Sequence, residues 1–415
     1  GNAEASTFLQ IVFDSVALNP SLTAPLENAV LRSNFDFEFT LLEDAMPNML
    51  KLTGTYQSGP TSDSLGARVI TFADSVRETG NHKVEFVSLS TLASDSADVA
   101  SVSPDGDFVH KGVYLLSLSF QDLATNNAVE QTVTVSFDTQ TDPPQIASPG
   151  ANDFLPEQFY VNFSLPEVAS TAGVTITFLK ILSLTAFGFE EEYFTTHTIT
   201  ANITAAGDYS ILVPKLSTAA TSSALITSVA ALPDEGGALS APDLDLNEGT
   251  IYNVTISYRD AVLNDANSAT VGFIEFTGNA TATPILTNPA DESAVASSFN
   301  LSFTLPDIPL TGSIKLVLTA IQNDPVTVRT LTFVQNSAIE ARGSHFMTFT
   351  NFHTAAADLA VVSTVSPQTE LVDGAIYDLS LEYQDPVGNP KSSVTSRISF
   401  HGGESLPLRI LSPAN

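Results

Sequence analysis

One alternating stretch, written three times at nearly fixed intervals, sets the terms on which this chain can fold. It reads FDFEFTL from Phe35, FYVNFSLPE from Phe159 and FNLSFTLPD from Phe299. Side chains alternate across a strand, so Phe299, Leu301, Phe303 and Leu305 share one face, opposite Asn300, Ser302 and Thr304. Three more anchors follow in the same order each time. A second strand begins near Leu50, Val174 and Ile314. A tyrosine strand begins at Tyr114, Tyr252 and Tyr377. A closing strand and linker come last: VTVSFDTQTDPPQIASPGA, FIEFTGNATATPILTNPAD and ISFHGGESLPLRILSPAN.

The spacing makes this an internal repeat. Phe35 and Phe159 are 124 residues apart, and Phe159 and Phe299 are 140 apart. Pro25, Pro149, Pro289 and Pro413 repeat the series as 124, 140 and 124. The extra length lies between Phe163 and Tyr252, where an insertion maps to loops. Short strands with one apolar and one polar face predict an all-β fold of tandem immunoglobulin-like β-sandwich domains in a linear array. The expected boundaries are 1–18 for the closing strand of a preceding repeat, and 19–142, 143–282 and 283–405 for three repeats. The second carries the insertion, and 406–415 is a linker into a following repeat. The surplus first strand and last linker are read as a window on a longer array. Strand addition to a neighbouring subunit is the alternative.

Composition removes several function classes. The chain has 46 acidic and 15 basic residues, a net charge of −31, which repels nucleic acid and anionic lipid. It has no cysteine, so thiolate zinc sites, thiol catalysis and disulfides are out. No apolar run is long enough to span a membrane as a helix.

Certain residues carry a resemblance. Asp138-Thr139, Pro143-Pro144 and Ser148-Pro149 give a DT–PP–SP linker; Gly374 and Tyr377 give GxxY; Asp385, Gly388 and Asn389 give D–xGN. This pattern resembles tandem immunoglobulin-like repeats of bacterial and algal surface or filament proteins. The first two copies place Asn126-Asn127 and Asn264-Asp265 where the third has Gly-Asn. The resemblance implies a fold and an extracellular or cell-surface setting, not an activity.

Candidate sites follow from the periodic residues. Asp122, Asp260 and Asp385 recur at a strand end, and Glu43, Glu167 and Asp307 after the first strand. As hard-oxygen ligands they are calcium candidates, though one or two carboxylates per copy fall short of the six to eight oxygens calcium takes. Capping of the following turn is the other reading. Gly112, Gly249 and Gly374 read as turn glycines. Asn162, Asn202, Asn253, Asn279 and Asn300 open glycosylation sequons, a number that composition alone would supply. The six histidines form no HxH or HExxH motif, and no nucleophile elbow, phosphate loop or dinucleotide fingerprint occurs, so no catalytic role is expected. The expected function is structural: a glycosylated rod or filament of tandem domains, self-associating head-to-tail or laterally. The alternative is an adhesin that binds carbohydrate or calcium through loops of the second repeat, around TAFGFEEEYF and LPDEGGALSAPDLDLNEG.

Overall fold

The computed structural model describes residues 13–183, 195–233 and 244–402. Among them, nine strands and one short α-helix form each of three sandwiches. The first contains β1 (Ser21–Ala24), β2 (Ala29–Leu31), β3 (Phe35–Leu41), β4 (Lys51–Ser58), β5 (Arg68–Phe72), β6 (Gly80–Phe86), α1 (Leu92–Asp95), β7 (Val99–Ser103), β8 (Val113–Ser119) and β9 (Gln131–Phe137). The second contains β10 (Gln145–Ser148), β11 (Phe154–Pro156), β12 (Phe159–Leu165), β13 (Ala169–Ser183), β14 (Thr195–Ala201), β15 (Gly207–Val213), α2 (Leu216–Ser222), β16 (Ile226–Pro233), β17 (Thr250–Asp260) and β18 (Asn267–Gly278). The third contains β19 (Ile285–Asn288), β20 (Ser293–Ala296), β21 (Phe299–Leu305), β22 (Lys315–Gln322), β23 (Val328–Phe333), β24 (Gly343–Phe349), α3 (Ala355–Asp358), β25 (Val362–Ser366), β26 (Ile376–Tyr383) and β27 (Ser392–His401).

The sheets repeat strand for strand. In the first sandwich β1–β3–β6 face β2–β9–β8–β4–β5–β7, and the other two show the same orders nine and eighteen strands on. The second strand pairs parallel with the closing one each time, and every other pairing is antiparallel. The chain is thus a tandem set of immunoglobulin-like β-sandwiches. The alternating strands explain the layering. Phe37, Phe39 and Leu41 face Leu52, Ile70, Tyr114, Leu116 and Leu118, all but fully buried. Separate cores form around Val161 and Ile256 in the second sandwich and around Leu301 and Leu379 in the third. Each such side chain contributes about 1.5–3 kcal/mol. Both extended loops of the second repeat fall largely in 184–194 and 234–243, outside the described residues.

The repeated tyrosine has a reason beyond core packing. The hydroxyls of Tyr114, Tyr252 and Tyr377 accept the N–H groups of Val109, Asn247 and Val372, each at 2.9 Å and five residues upstream. A buried phenol needs such a partner, and the bond fixes the turn entering the strand. In the first and third sandwiches the same hydroxyl also donates to a buried aspartate, Asp63 at 2.6 Å and Asp324 at 2.5 Å. Each aspartate pairs with a buried arginine, Arg68 or Arg329. The guanidiniums donate further to the carbonyls of Gly106 and Asp107, or of Thr369 and Glu370. By strand register, His197 holds the corresponding place in the second sandwich, its ring 6.0 Å from Tyr252.

Burial pushes the Asp63 carboxyl up, but hydrogen bonds from Arg68 and Tyr114 outweigh it and hold the group below its ordinary value. The pair therefore stabilises the fold above the unfolded aspartate range and loses that contribution as pH falls. Asp63→Ala leaves Arg68 buried and unpaired, and destabilises the first sandwich by about 3–5 kcal/mol. Asp63→Leu with Arg68→Met recovers most of this loss. Hydrogen exchange of β5 and β8 amides in the three chains checks both statements.

Candidate functional site: the joint between sandwiches

The periodic carboxylates converge where one sandwich hands over to the next. At residues 138–142, the Asp142 N–H donates to Glu167 Oε1 at 2.5 Å. The Asp142 carbonyl accepts from the Tyr258 hydroxyl at 2.7 Å. At residues 278–282, the Ala282 N–H donates to Asp307 Oδ2 at 2.7 Å, and its carbonyl accepts from the Tyr383 hydroxyl at 2.7 Å. Both sides of one linker residue are thus held by side chains of the following sandwich. Segments this close to a core leave no polar backbone group unpaired without cost.

Asp260 and Asp385 anchor the next layer of contacts. Asp260 Oδ1 accepts the Asn264 N–H at 3.0 Å, and its Oδ2 accepts Asn264 Nδ2 at 2.7 Å and Thr141 Oγ1 at 3.1 Å. Asp385 Oδ1 accepts the N–H groups of Gly388 and Asn389 at 3.0 Å, and its Oδ2 accepts Asn389 Nδ2 at 2.7 Å. The oriented asparagines reach the preceding sandwich. Asn264 Nδ2 donates to the Asp138 carbonyl at 2.9 Å, and Asn389 Nδ2 to the Gly278 carbonyl at 3.2 Å. Asp122 holds Asn126 in the same way at 2.8 Å. Internal donors engage all three aspartates, so turn capping explains their burial without an ion.

Two alignments shift by one residue from the sequence reading. The shared motif is Asp-x-x-x-Asn, joining Asp122 to Asn126, Asp260 to Asn264 and Asp385 to Asn389, so the first two copies do not depart from the third here. What differs is the preceding position. Thr125, Leu263 and Gly388 all have positive φ, at 71°, 67° and 85°. Lys111 likewise stands where Gly249 and Gly374 stand, with φ of 59°, 70° and 74°. Gly112 is small for another reason: a Cβ there would lie 2.8 Å from the Val109 carbonyl oxygen. Lys111 tolerates the left-handed conformation while its ammonium pairs with Asp142 and lies 4.0 Å from Glu167.

Each joint gathers acids around few cations. At 138–142, Asp138, Asp142 and Glu167 lie near Lys111, Asp138 and Asp142 face His110, and Asp260 lies near Asp138. The Thr139 N–H donates to His110 Nδ1 at 3.1 Å, which leaves the Nε2 side facing Asp142 Oδ1 at 3.3 Å. At 278–282, Glu275 and Asp307 lie near Arg342, which pairs across the joint with Glu275, and Glu248 and Asp385 lie near Asp307. Burial, then the charges of Glu167 and Asp260, push the Asp138 carboxyl up to about 6. Burial likewise raises Asp307, and burial with the nearby Asp307 and Asp385 raises Glu248.

Residues 14–18 form a leaner version. The Leu18 N–H donates to Glu43, but Phe120 replaces the linker-binding tyrosine and Ala17 replaces Thr141 and Thr281. Carboxylate oxygens of Asp14, Glu43 and Asp122 lie within 4.8 Å of one another. The sequence marks the carboxylates and the asparagines Asn126, Asn264 and Asn389 but not what the asparagines bind, and it does not single out Tyr258, Tyr383, Lys111 or Arg342 for the joint. The signal for two of these sets is present, since an asparagine stands four residues after the aspartate in all three copies and a tyrosine two before it in the last two.

The sequon asparagines lie apart from the joints except Asn279, whose Nδ2 donates to Glu157 at 3.1 Å. Asn202, Asn279 and Asn300 are exposed, and Asn162 and Asn253 are half-buried on outer strand faces.

Because Asp138 titrates higher in the folded chain than the ordinary 3.8, its ionised form disfavours the folded joint. Its contribution therefore improves as pH falls from 6 toward 4, opposite in sign to that of Asp63. Asp138→Asn keeps the backbone acceptor for Asn264 and removes the charge. It raises stability at pH 7 by about 1–2 kcal/mol and flattens the dependence between pH 4 and 6. Thermal melts of both chains across that range check it.

No family model matches the chain, and no curated protein matches it in sequence. Solved structures that align with the chain include the Escherichia coli adhesin FdeC, at 10% identity and TM-score 0.29, covering 95% of this chain and 100% of that one. The FN1–FN3 domains of chicken CNTN1 align at 10% identity and TM-score 0.24, over 94% and 100%. An ICAM-5 ectodomain fragment aligns at 10% identity and TM-score 0.26, over 92% and 77%. At these identities and TM-scores the likeness carries no functional information.

Proposed function

We propose that this chain is part of an extracellular, glycosylated rod or filament whose working element is the joint. The observation that carries the reading is the capture of Asp142 and Ala282 by the carboxylate and tyrosine of the following sandwich. A linker held at both its N–H and its C=O cannot swivel as a solvated tether does. Tandem modules then add length without each needing a binding partner. The net charge of −31 favours solubility and repels anionic surfaces. Among the described residues no helix is long and apolar enough to cross a membrane. Assembly of copies into a filament is part of this proposal, through a head-to-tail contact that does not close on itself.

A second reading has one observation behind it. A cleft beside α2 has Phe159, Leu246 and Phe276 in its wall and Glu157, Asp245 and Glu248 among its polar lining. Asp245, Leu246 and Glu248 fall within the stretch from Leu232 to Gly249, where an adhesin would carry a sugar-binding site. Binding of a glycan array by the chain, lost in Asp245→Ala, would favour that reading.

The structural reading is tested by the hinge it removes. Tyr258→Phe, Tyr383→Phe, Asn264→Ala and Asn389→Ala together broaden the distribution of angles between consecutive sandwiches in electron micrographs. Each sandwich's own fold is retained. Equal, broad distributions for the parent and the variant would contradict it.

A further inference from the structure

One bulge breaks the repetition of the sandwiches. β17 and β18 pair Tyr252 with Ile274 and Val254 with Val271, so both Gly272 and Phe273 lie opposite Asn253. The corresponding strands of the other two sandwiches run in register: Leu115 faces Thr134, and Asp378 faces Arg397. The second sandwich therefore carries one added residue at this point. That residue is a phenylalanine with φ of 61° and 61% of its surface exposed. A lone exposed aromatic is ordinary. A bulky residue held at positive φ so as to stay in water is not, and bulges serve to re-aim side chains.

The neighbour of the bulge is a sequon asparagine. Tyr252 and Val254 are fully buried, so Asn253 points to the outer face, as does Thr255, which completes the sequon. Gly272 does not have a positive φ, so its backbone does not require glycine. Its Cβ, if present, would lie 2.8 Å from Asn253 Oδ1. Glycine here leaves room for the asparagine side chain, a common reason for glycine inside a strand.

We propose that Asn253 is a seat for an N-linked sugar and that Phe273 is the platform on which its first ring rests. The proposal deepens the glycoprotein reading above and depends on it. A pyranose ring presents C–H groups on one face, and an aromatic face attracts them while both surfaces leave water. In the transfer step, Asn253 Nδ2 bonds to the anomeric carbon of an N-acetylhexosamine oligosaccharide carried on a lipid diphosphate. The bond from that carbon to the diphosphate oxygen breaks, the lipid diphosphate leaves with the electron pair, and Nδ2 gives up one proton. The transfer precedes pairing of β17 with β18, and the bulge then receives the product. Asn300 differs, since its Oδ1 accepts from Thr348 Oγ1 at 2.9 Å.

The full chain secreted from an animal cell line is compared with the same chain made without sugar, each as the parent and as Phe273→Ser. Glycopeptide mass spectrometry reads occupancy, and melting reads the gain that the sugar confers. The expected result is an occupied Asn253 and a gain of about 3 °C in the parent that disappears in Phe273→Ser. An unmodified Asn253 beside another occupied sequon overturns this proposal alone, as does an equal gain in both chains. Five bare sequons overturn the glycoprotein reading and this proposal with it.

Discussion

The structure depends on one constraint: the linker residue between sandwiches has its N–H and its C=O taken by the sandwich that follows. A carboxylate must therefore sit against the linker, and a tyrosine must end its strand beside it. The capping aspartate two residues after that tyrosine comes with the same turn. These acids are brought together by topology rather than by charge, and burial, then the neighbouring charges, raises Asp138, Asp307 and Glu248. Lys111 and Arg342 answer that repulsion. The joint is thus a compromise in which backbone satisfaction decides the placement and electrostatics follows.

Much of this was legible in the sequence. Period-two alternation from Phe35, Phe159 and Phe299 gave the inward faces, because the pleat leaves no other arrangement for such strands. The tyrosines from Tyr114, Tyr252 and Tyr377 marked a strand correctly, while their corner hydrogen bonds lie in contacts with residues upstream that alternation does not encode. The carboxylates were visible as periodic acids, but not what they hold. Asp260 reads the same in sequence whether it binds an ion or an asparagine amide. Only the fold shows its oxygens meeting Asn264 and Thr141.

Departures from the repeat mark where the copies are specialised. Phe120 and Ala17 leave the segment 14–18 without two bonds that the joints at 138–142 and 278–282 keep. Lys111 accepts an unfavourable backbone conformation at a place the other copies give to glycine, and its ammonium reaches across the handover. His197 replaces the buried arginine of the first and third sandwiches. The second sandwich also has the added residue in β18. It is the copy in which the shared frame is most altered, and Asp245, Leu246 and Glu248 line its cleft by α2.

Amide hydrogen exchange at Asp142 and Ala282 probes the central constraint directly. If side chains of the next sandwich hold the linker, these two amides exchange as slowly as those of the neighbouring strands, and Glu167→Gln or Asp307→Asn speeds only the matching one. Exchange at the rate of a free, solvated linker in the parent chain would mean that the sandwiches are merely tethered.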